Sequence, residues 1–271
     1  MRTLISFDIK ADFGFLKKPD TNDPMYLTFN MLHKPALLGI LGAIVGLGGF
    51  SEFVKEKKKG KKSKAATIDN SKNGKFSEYY TKLNHIPVGI KPLGDENGNF
   101  QKTIIKYTNQ VGYANDDGTL IVTEQTLIKP AYRCYLLLDL EQSLEKKLFD
   151  NIKNYHAEYL PYLGKNDFSL WWENFLGYQF EKFNPEKSYK LISIFIKEQM
   201  LKDNVKKQPI KPLINSSSGK FMYFENLPVS YHKELLQYEY EPFAYTDWEV
   251  ENIYPVENLY KLSSDEIIQL F

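Results

Sequence analysis

At 271 residues the chain is long enough for one large domain or two small ones. Its 42% hydrophobic and 25% charged residues exclude a wholly disordered or collagenous chain, and a single cysteine excludes an intramolecular disulfide. The net charge of +1 conceals a division: Phe221 to Phe271 carries ten acidic and two basic residues, a balance of −8, and the preceding 220 residues carry +9. Of the 35 basic residues 33 are Lys, and only Arg2 and Arg133 are Arg. A Lys-rich surface meets phosphate as point charges, without the planar fork by which Arg reads carboxylates and base edges. A general preference for Lys accounts for the same count equally well.

In chain order, Leu4 to Lys10 reads as a strand, and Asp12 to Asp23 as a polar, turn-rich segment. Tyr26 to Phe29 is a second extended piece. Pro35 to Phe50 is uncharged for sixteen residues, short of the roughly twenty that a membrane span needs. It reads as a buried helix with Pro at its start. Gly39, Gly42, Ala43 and Gly46 recur at helical spacing, so one face can approach another backbone closely. Glu52 to Lys82 holds ten Lys and four acids, densest from Lys55 to Lys64, and reads as a solvated basic insertion. Thr103 to Tyr107 and Gly118 to Leu127 form a hairpin turning at Asn115 to Gly118. Arg133 to Leu138 is a buried strand. Asp139 is placed to cap the next helix with Gln142 in a capping box. Leu140, Leu144, Leu148, Ile152, Tyr155 and Tyr159 share one face of that helix. Further strands follow at Phe175 to Phe183, Lys190 to Lys197 and Phe221 to Glu225. This order predicts an α+β fold: a ferredoxin-like β–α–β–β–α–β domain with a C-terminal antiparallel β extension.

The chain has no phosphate loop ending in Gly-Lys-Ser/Thr, no Gly-x-Ser-x-Gly elbow and no His-Glu-x-x-His. Its four histidines are scattered, so no metal or cofactor is expected. Cys134 lies in an apolar run and reads as a buried thiol. His33 and Lys34 precede a helix N-terminus, where N–H groups favour an anion; an exposed turn histidine is the plainer reading. Tyr107 and Tyr113 lie on the hairpin, where they are placed either to stack on unpaired bases or to pack. Trp171 and Trp172 cannot both face inward on one strand. The start of the chain lacks a long apolar core, which together with the missing disulfides fits the cytoplasm.

Several segments resemble the Cas-five family, the subunits of type I CRISPR effector complexes (Cascade) that bind the 5′ handle of the guide RNA. They are Leu4 to Pro19, Tyr26-Leu-Thr-Phe29, Lys34 to Leu47, Pro161-Tyr-Leu-Gly-Lys-Asn-Asp-Phe168, Ser193-Ile-Phe-Ile-Lys197 and Tyr223-Phe-Glu-Asn-Leu-Pro228. The combination is most similar to the type I-B branch. The resemblance implies a ferredoxin-like RNA-binding domain over 1–183, with a basic insertion at 52–100 and a hairpin "thumb" at 101–127, then a β extension over 184–271. It implies a non-catalytic role: holding the handle, anchoring the large subunit and the first backbone subunit, and meeting target DNA only through the complex. Lys10, Lys17, His33, Lys34, Tyr107, Gln110, Tyr113, Gly164, Lys165 and Asn166 are the residues assigned to the RNA. Type I-C relatives cleave precursor RNA with a Tyr, a Lys and a His, so an endoribonuclease using His33 is the alternative.

Overall fold

The structure is a computed structural model that describes residues 2–20, 24–49, 76–109, 120–197, 219–232, 234–250 and 256–271. The chain runs β1 (Arg2–Ala11), β2 (Phe13–Gly14), β3 (Leu16–Lys17), β4 (Thr28–Phe29), α1 (Lys34–Val45), α2 (Glu78–Leu83), β5 (Val88–Leu93), β6 (Lys102–Asn109), β7 (Leu120–Ile128), β8 (Ala131–Asp139), α3 (Ser143–Lys153), β9 (Leu170–Tyr178) and β10 (Phe180–Lys182). It ends with β11 (Phe195–Ile196), β12 (Met222–Tyr231), β13 (Tyr238–Thr246), β14 (Leu259–Leu262) and β15 (Ile267–Gln269).

The central sheet has the order β5-β8-β1-β9, with every neighbour antiparallel. β1 and β5 therefore run parallel on either side of β8 and are joined by the α1 crossover, while α3 joins β8 to β9. This is the ferredoxin-like β–α–β–β–α–β topology, and the α+β fold expected from the sequence is the fold the chain adopts.

Alternation along β1 sets the two faces of the sheet. Ile5, Phe7 and Ile9 point into a core that includes Leu37, Leu41 and Ile44 of α1 and Leu148 and Ile152 of α3. Each such side chain contributes roughly 1.5–3 kcal/mol when removed from water. α1 is apolar nearly all round because it is covered on several sides: by the sheet, by α2 and by β12. Gly42 makes the α2 contact possible, since a Cβ there would lie 2.5 Å from Cβ of Tyr79. Gly46 ends α1 at φ +80°, the left-handed cap that glycine adopts without strain.

The opposite face is covered at one end by the chain itself. Leu4, Tyr135 and Leu137 lie under Leu262, Ile268 and Leu270 of the C-terminal strands. Farther along, Arg133 donates to both carboxylate oxygens of Asp8 at 2.6 and 2.9 Å, and Asn174 donates to the same carboxylate at 2.9 Å. Asp8 is buried, and its hydrogen bonds raise the pKa of Arg133 further. β12 and β13 pack on the helix side, where Leu227 and Phe243 join the main core.

Several sequence expectations change in detail. The segment 52–100 is not wholly an insertion: α2 lies in it, and β5, its Val88 and Ile90 fully buried, is the second strand of the central sheet. Its Gly-Ile-Lys-Pro pattern masks a strand, because Pro92 occupies an edge position where a missing N–H is tolerated. The dense Lys run from Lys55 to Lys64 lies outside the described residues, as does the turn at Asn115 to Gly118. The helix carrying Leu144, Leu148 and Ile152 stops at Lys153, and Tyr155 turns the chain at φ +55°, so Tyr155 and Tyr159 do not continue its face. Gln142, not Asp139, occupies the N-cap. Glu145 reaches back instead and accepts from the Asp139 N–H at 2.6 Å. The strand expected over Phe175 to Phe183 is β9 plus β10, and β10 pairs with β14 of the C-terminal part. Trp171 and Trp172 do face opposite ways: Trp171 is exposed, and the Trp172 indole donates to the Ile152 carbonyl at 2.9 Å. Cys134 is buried, which pushes its thiol well above the usual range.

Candidate nucleic-acid interface

The site grows from the base of the β6–β7 hairpin. Four segments distant in sequence meet there. Phe13 and Gly14 pair with Ile128 and Leu127. Tyr26 bonds across to β7: its N–H donates to the Thr123 carbonyl and its carbonyl accepts from Gln125, both at 2.9 Å. Asn30, at the end of β4, is buried and accepts from the Phe100 N–H at 3.0 Å and from Lys102 Nζ at 2.9 Å. The loop Pro161 to Ser169 closes the group, with Leu163 donating to the Phe168 carbonyl at 2.8 Å and Phe168 to that of Lys165 at 2.9 Å.

Gly164 is required for that closure. It sits at φ +86°, and a Cβ would lie 1.8 Å from the carbonyl oxygen of Phe15. Only glycine lets the loop backbone rest on the Phe15–Leu16 backbone, where the Phe15 N–H donates to the Leu163 carbonyl at 3.1 Å.

The close approach delivers Lys165 to the hairpin. Its Nζ lies 2.7 Å from Oε2 of Glu124 and 4.8 Å from the Tyr107 ring centre, with Phe168 and Phe15 at 5.6 and 5.9 Å. Glu124 is almost fully buried, and its other oxygen accepts from the Tyr107 hydroxyl at 3.1 Å. Burial works against the Lys165 charge, but the Glu124 carboxylate outweighs it, and the pKa of Lys165 ends above its ordinary value. Tyr107 is raised as well, by burial first and then by Glu124. The pair holds a cation among aromatic faces, and Tyr107 and Phe13 present about two fifths of their surface to solvent. Such a combination can stack planar bases and attract a phosphate backbone. Lys17 adds a second cation, its Nζ 3.9 Å from the Tyr26 ring centre.

The other assigned residues are used differently. Asn166 is exposed at the turn of the same loop. Lys10 pairs with Glu173 on the exposed end of the opposite sheet face. His33 is the N-cap of α1: its Nδ1 accepts from the Ala36 N–H at 3.3 Å, and its ring sits edge-on to Phe29 and Tyr238. Burial lowers its pKa to about 3, so the imidazole is neutral and faces protein, not a phosphate. Lys34 donates to the Phe271 carbonyl at 2.9 Å, and burial lowers its pKa to about 8. The anion site expected at this helix start is therefore filled by a protein side chain and a backbone carbonyl. Gln110 and Tyr113 lie outside the described residues.

Sequence reasoning missed Glu124, Phe13, Phe15, Phe168 and Tyr26. Glu124 left one trace: a carboxylate at an interior position of an otherwise neutral strand. It also missed Glu225, whose buried carboxylate accepts from the Asn30 and Met31 N–H groups at 3.1 and 3.0 Å and pairs with Lys18 at 3.3 Å. That carboxylate fixes the turn leading into α1. Among the described residues no cluster of three or more His, Cys, Asp or Glu is placed to hold a metal ion, and no helix is long and apolar enough to cross a membrane.

The fold and site define a ferredoxin-like α+β protein with a hairpin rooted in a cation–aromatic cluster. No protein-family model and no curated relative matches the chain. Solved structures do resemble it. A CRISPR protein from Archaeoglobus fulgidus aligns with a TM-score of 0.43 at 11% identity, over 99% of this chain and 98% of that one. A chain of a CRISPR RNA-guided surveillance complex aligns at 0.42 and 10%, over 91% of each. A structure described as a Cas protein aligns at 0.32 and 14%, over 60% of this chain and 57% of that one. At these scores and identities the likenesses assign neither family nor function.

Proposed function

We propose that the chain is a guide-RNA-binding subunit of a type I CRISPR effector complex, of the type I-B kind, that holds the 5′ handle at the base of the β6–β7 hairpin. The observation that carries this reading is the convergence of Glu124 and Tyr107 on Lys165, seated by Gly164 within the Pro161 to Phe168 segment that resembles the Cas-five family. Lys165 and Lys17 supply charge to the RNA backbone, and Tyr107 and Phe13 supply ring faces to unpaired bases. Single-stranded RNA is gripped by this pairing of charge and stacking. One end of the sheet face used by many ferredoxin-like RNA binders is covered here by β14 and β15, and beyond them the face carries the Asp8–Arg133 and Lys10–Glu173 ion pairs. The hairpin base, where exposed rings and a cation meet, is the better surface. In this reading the large subunit and the first backbone subunit are its protein partners, it works in the cytoplasm without a metal or cofactor, and target DNA is met through the assembled complex.

Sequencing the small RNA that copurifies with the assembled complex tests the proposal. A shared, repeat-derived 5′ end is the expected result, and random 5′ ends refute it. The endoribonuclease alternative rests on His33, which is buried and neutral. Cleavage of repeat RNA by the purified chain, abolished in His33→Ala, would restore that alternative.

A further inference from the structure

A second cleft lies away from the hairpin, between the β3–β4 connection and the C-terminal pair β12–β13. It has a volume of about 640 Å³. Phe224 and Tyr240 line it and are 48% and 42% exposed. Phe224 and Asn226 are two residues apart on β12 and so project from the same face. Lys197 Nζ stands 4.8 Å from the Phe224 ring centre, and Lys18 Nζ stands 5.2 Å from that of Phe29 at the cleft wall.

The charges say what the cleft can hold. Lys18, the one cation lining the cleft among the described residues, is balanced by Asp20 and Glu225. Glu225 is committed to two backbone N–H groups and Lys18, whereas Asp20 is exposed at the rim. A bare phosphate would meet the Asp20 carboxylate and an acidic C-terminal segment. A neutral planar ring meets two aromatic faces, a side-chain amide that both donates and accepts, and a carboxylate that accepts from an amino group. Adjacent lysines link the cleft in sequence to the first site. Lys17 leans on Tyr26 toward the hairpin, and the next residue, Lys18, leans on Phe29 toward the cleft.

We propose that this cleft binds one unpaired nucleobase of the same single-stranded RNA, with a preference for bases bearing an exocyclic amino group over uracil. This rests on the RNA-binding reading above and extends it to the C-terminal strands. Phe224 and Tyr240 hold the base by stacking, and Asp20 accepts from its amino group.

The test uses the full chain and a set of single-stranded RNA oligonucleotides, each carrying 2-aminopurine at a different position. One position should be quenched on binding in a way that Phe224→Ala and Tyr240→Ala abolish, with affinity falling about 5- to 150-fold, the range a stacked base is worth. Phe224→Trp should restore both. Uracil at that position should weaken binding, and Asp20→Asn should narrow the difference. Wild-type affinity and quenching in both alanine variants overturn the cleft and leave the hairpin reading intact. Absence of RNA binding by the wild-type chain overturns both. Ultraviolet crosslinking of the wild-type assembled complex needs no variant: RNA adducts on Phe224 or Tyr240 support the site. A crosslink from those residues to a protein partner instead assigns the cleft to that partner and overturns it.

Discussion

Replacing His33 by Asn separates two jobs that this residue performs. Asn retains the N-cap acceptor for the Ala36 N–H but neither titrates nor packs as a ring between Phe29 and Tyr238. Two edge-on aromatic contacts are lost, about 1–3 kcal/mol together, so near pH 7–8 the variant is the less stable protein. The acid side reverses this. The folded imidazole titrates at about 3 and the unfolded one at 6.5, so between those values the unfolded chain binds the extra proton. Stability from this group is therefore full above pH 6.5 and is lost as pH falls, by about 1.4 kcal/mol per unit and about 4–5 kcal/mol by pH 3. The wild-type advantage shrinks below pH 6.5 and vanishes about one to two units lower, where the two stability curves cross. Urea unfolding at half-unit steps from pH 4 to 8 measures both curves. Parallel curves across that range would refute the reasoning, because they would mean the folded imidazole titrates as the unfolded one does. The functional corollary is that RNA affinity between pH 5 and 7 owes nothing to His33.

Three further outcomes are expected. Lys165→Ala strands a buried carboxylate and should cost about 3 kcal/mol in thermal or urea unfolding, while Glu124→Gln combined with Lys165→Gln should recover most of it; additive losses in the double-mutant cycle would deny the coupling. Gly164→Ala must relieve both a left-handed φ and the overlap with the Phe15 carbonyl, so it should destabilise by about 2–5 kcal/mol and weaken RNA binding with it; a change under about 0.5 kcal/mol in unfolding would show that the loop does not rest on Phe15. Lys17→Ala leaves the core alone and should lower the slope of log affinity against log salt by about 0.7, with the slope itself as the readout and an unchanged slope removing Lys17 from the phosphate path.

The hydrophobic pattern of the chain was enough to define most of its elements. α3 is legible because it buries one face and so carries a period near 3.6, and β1, α1 and β8 because burial on several sides leaves nearly continuous apolar runs. The hairpin is legible instead from its β-branched residues and its turn residues, since much of β6 is exposed. β5 was obscured by a glycine, a lysine and a proline within six residues, and only its pairing with β8 shows it to be a core strand. The end of α3 was misread because Tyr155 and Tyr159 keep the helical spacing while the backbone has already turned at Tyr155.

The site divides along the same line. Gly164, Lys165 and Tyr107 were marked by residue type and by the resemblance, because a glycine in a turn and a lysine beside it are local signals. That Lys165 is held by Glu124 and lies against Phe15 could not be read locally, since Glu124 and Phe15 are some forty and one hundred and fifty positions away from it. His33 shows the converse. Beside a lysine at a helix start it has the local features of an anion site, but folding packs Phe29 and Tyr238 around it and removes its charge. Sequence determines which segments carry a periodic apolar face and where turns fall, because those preferences act over a few residues. Which charges are paired, buried or left facing solvent depends on the chain's long-range closure, and only the tertiary structure decides it.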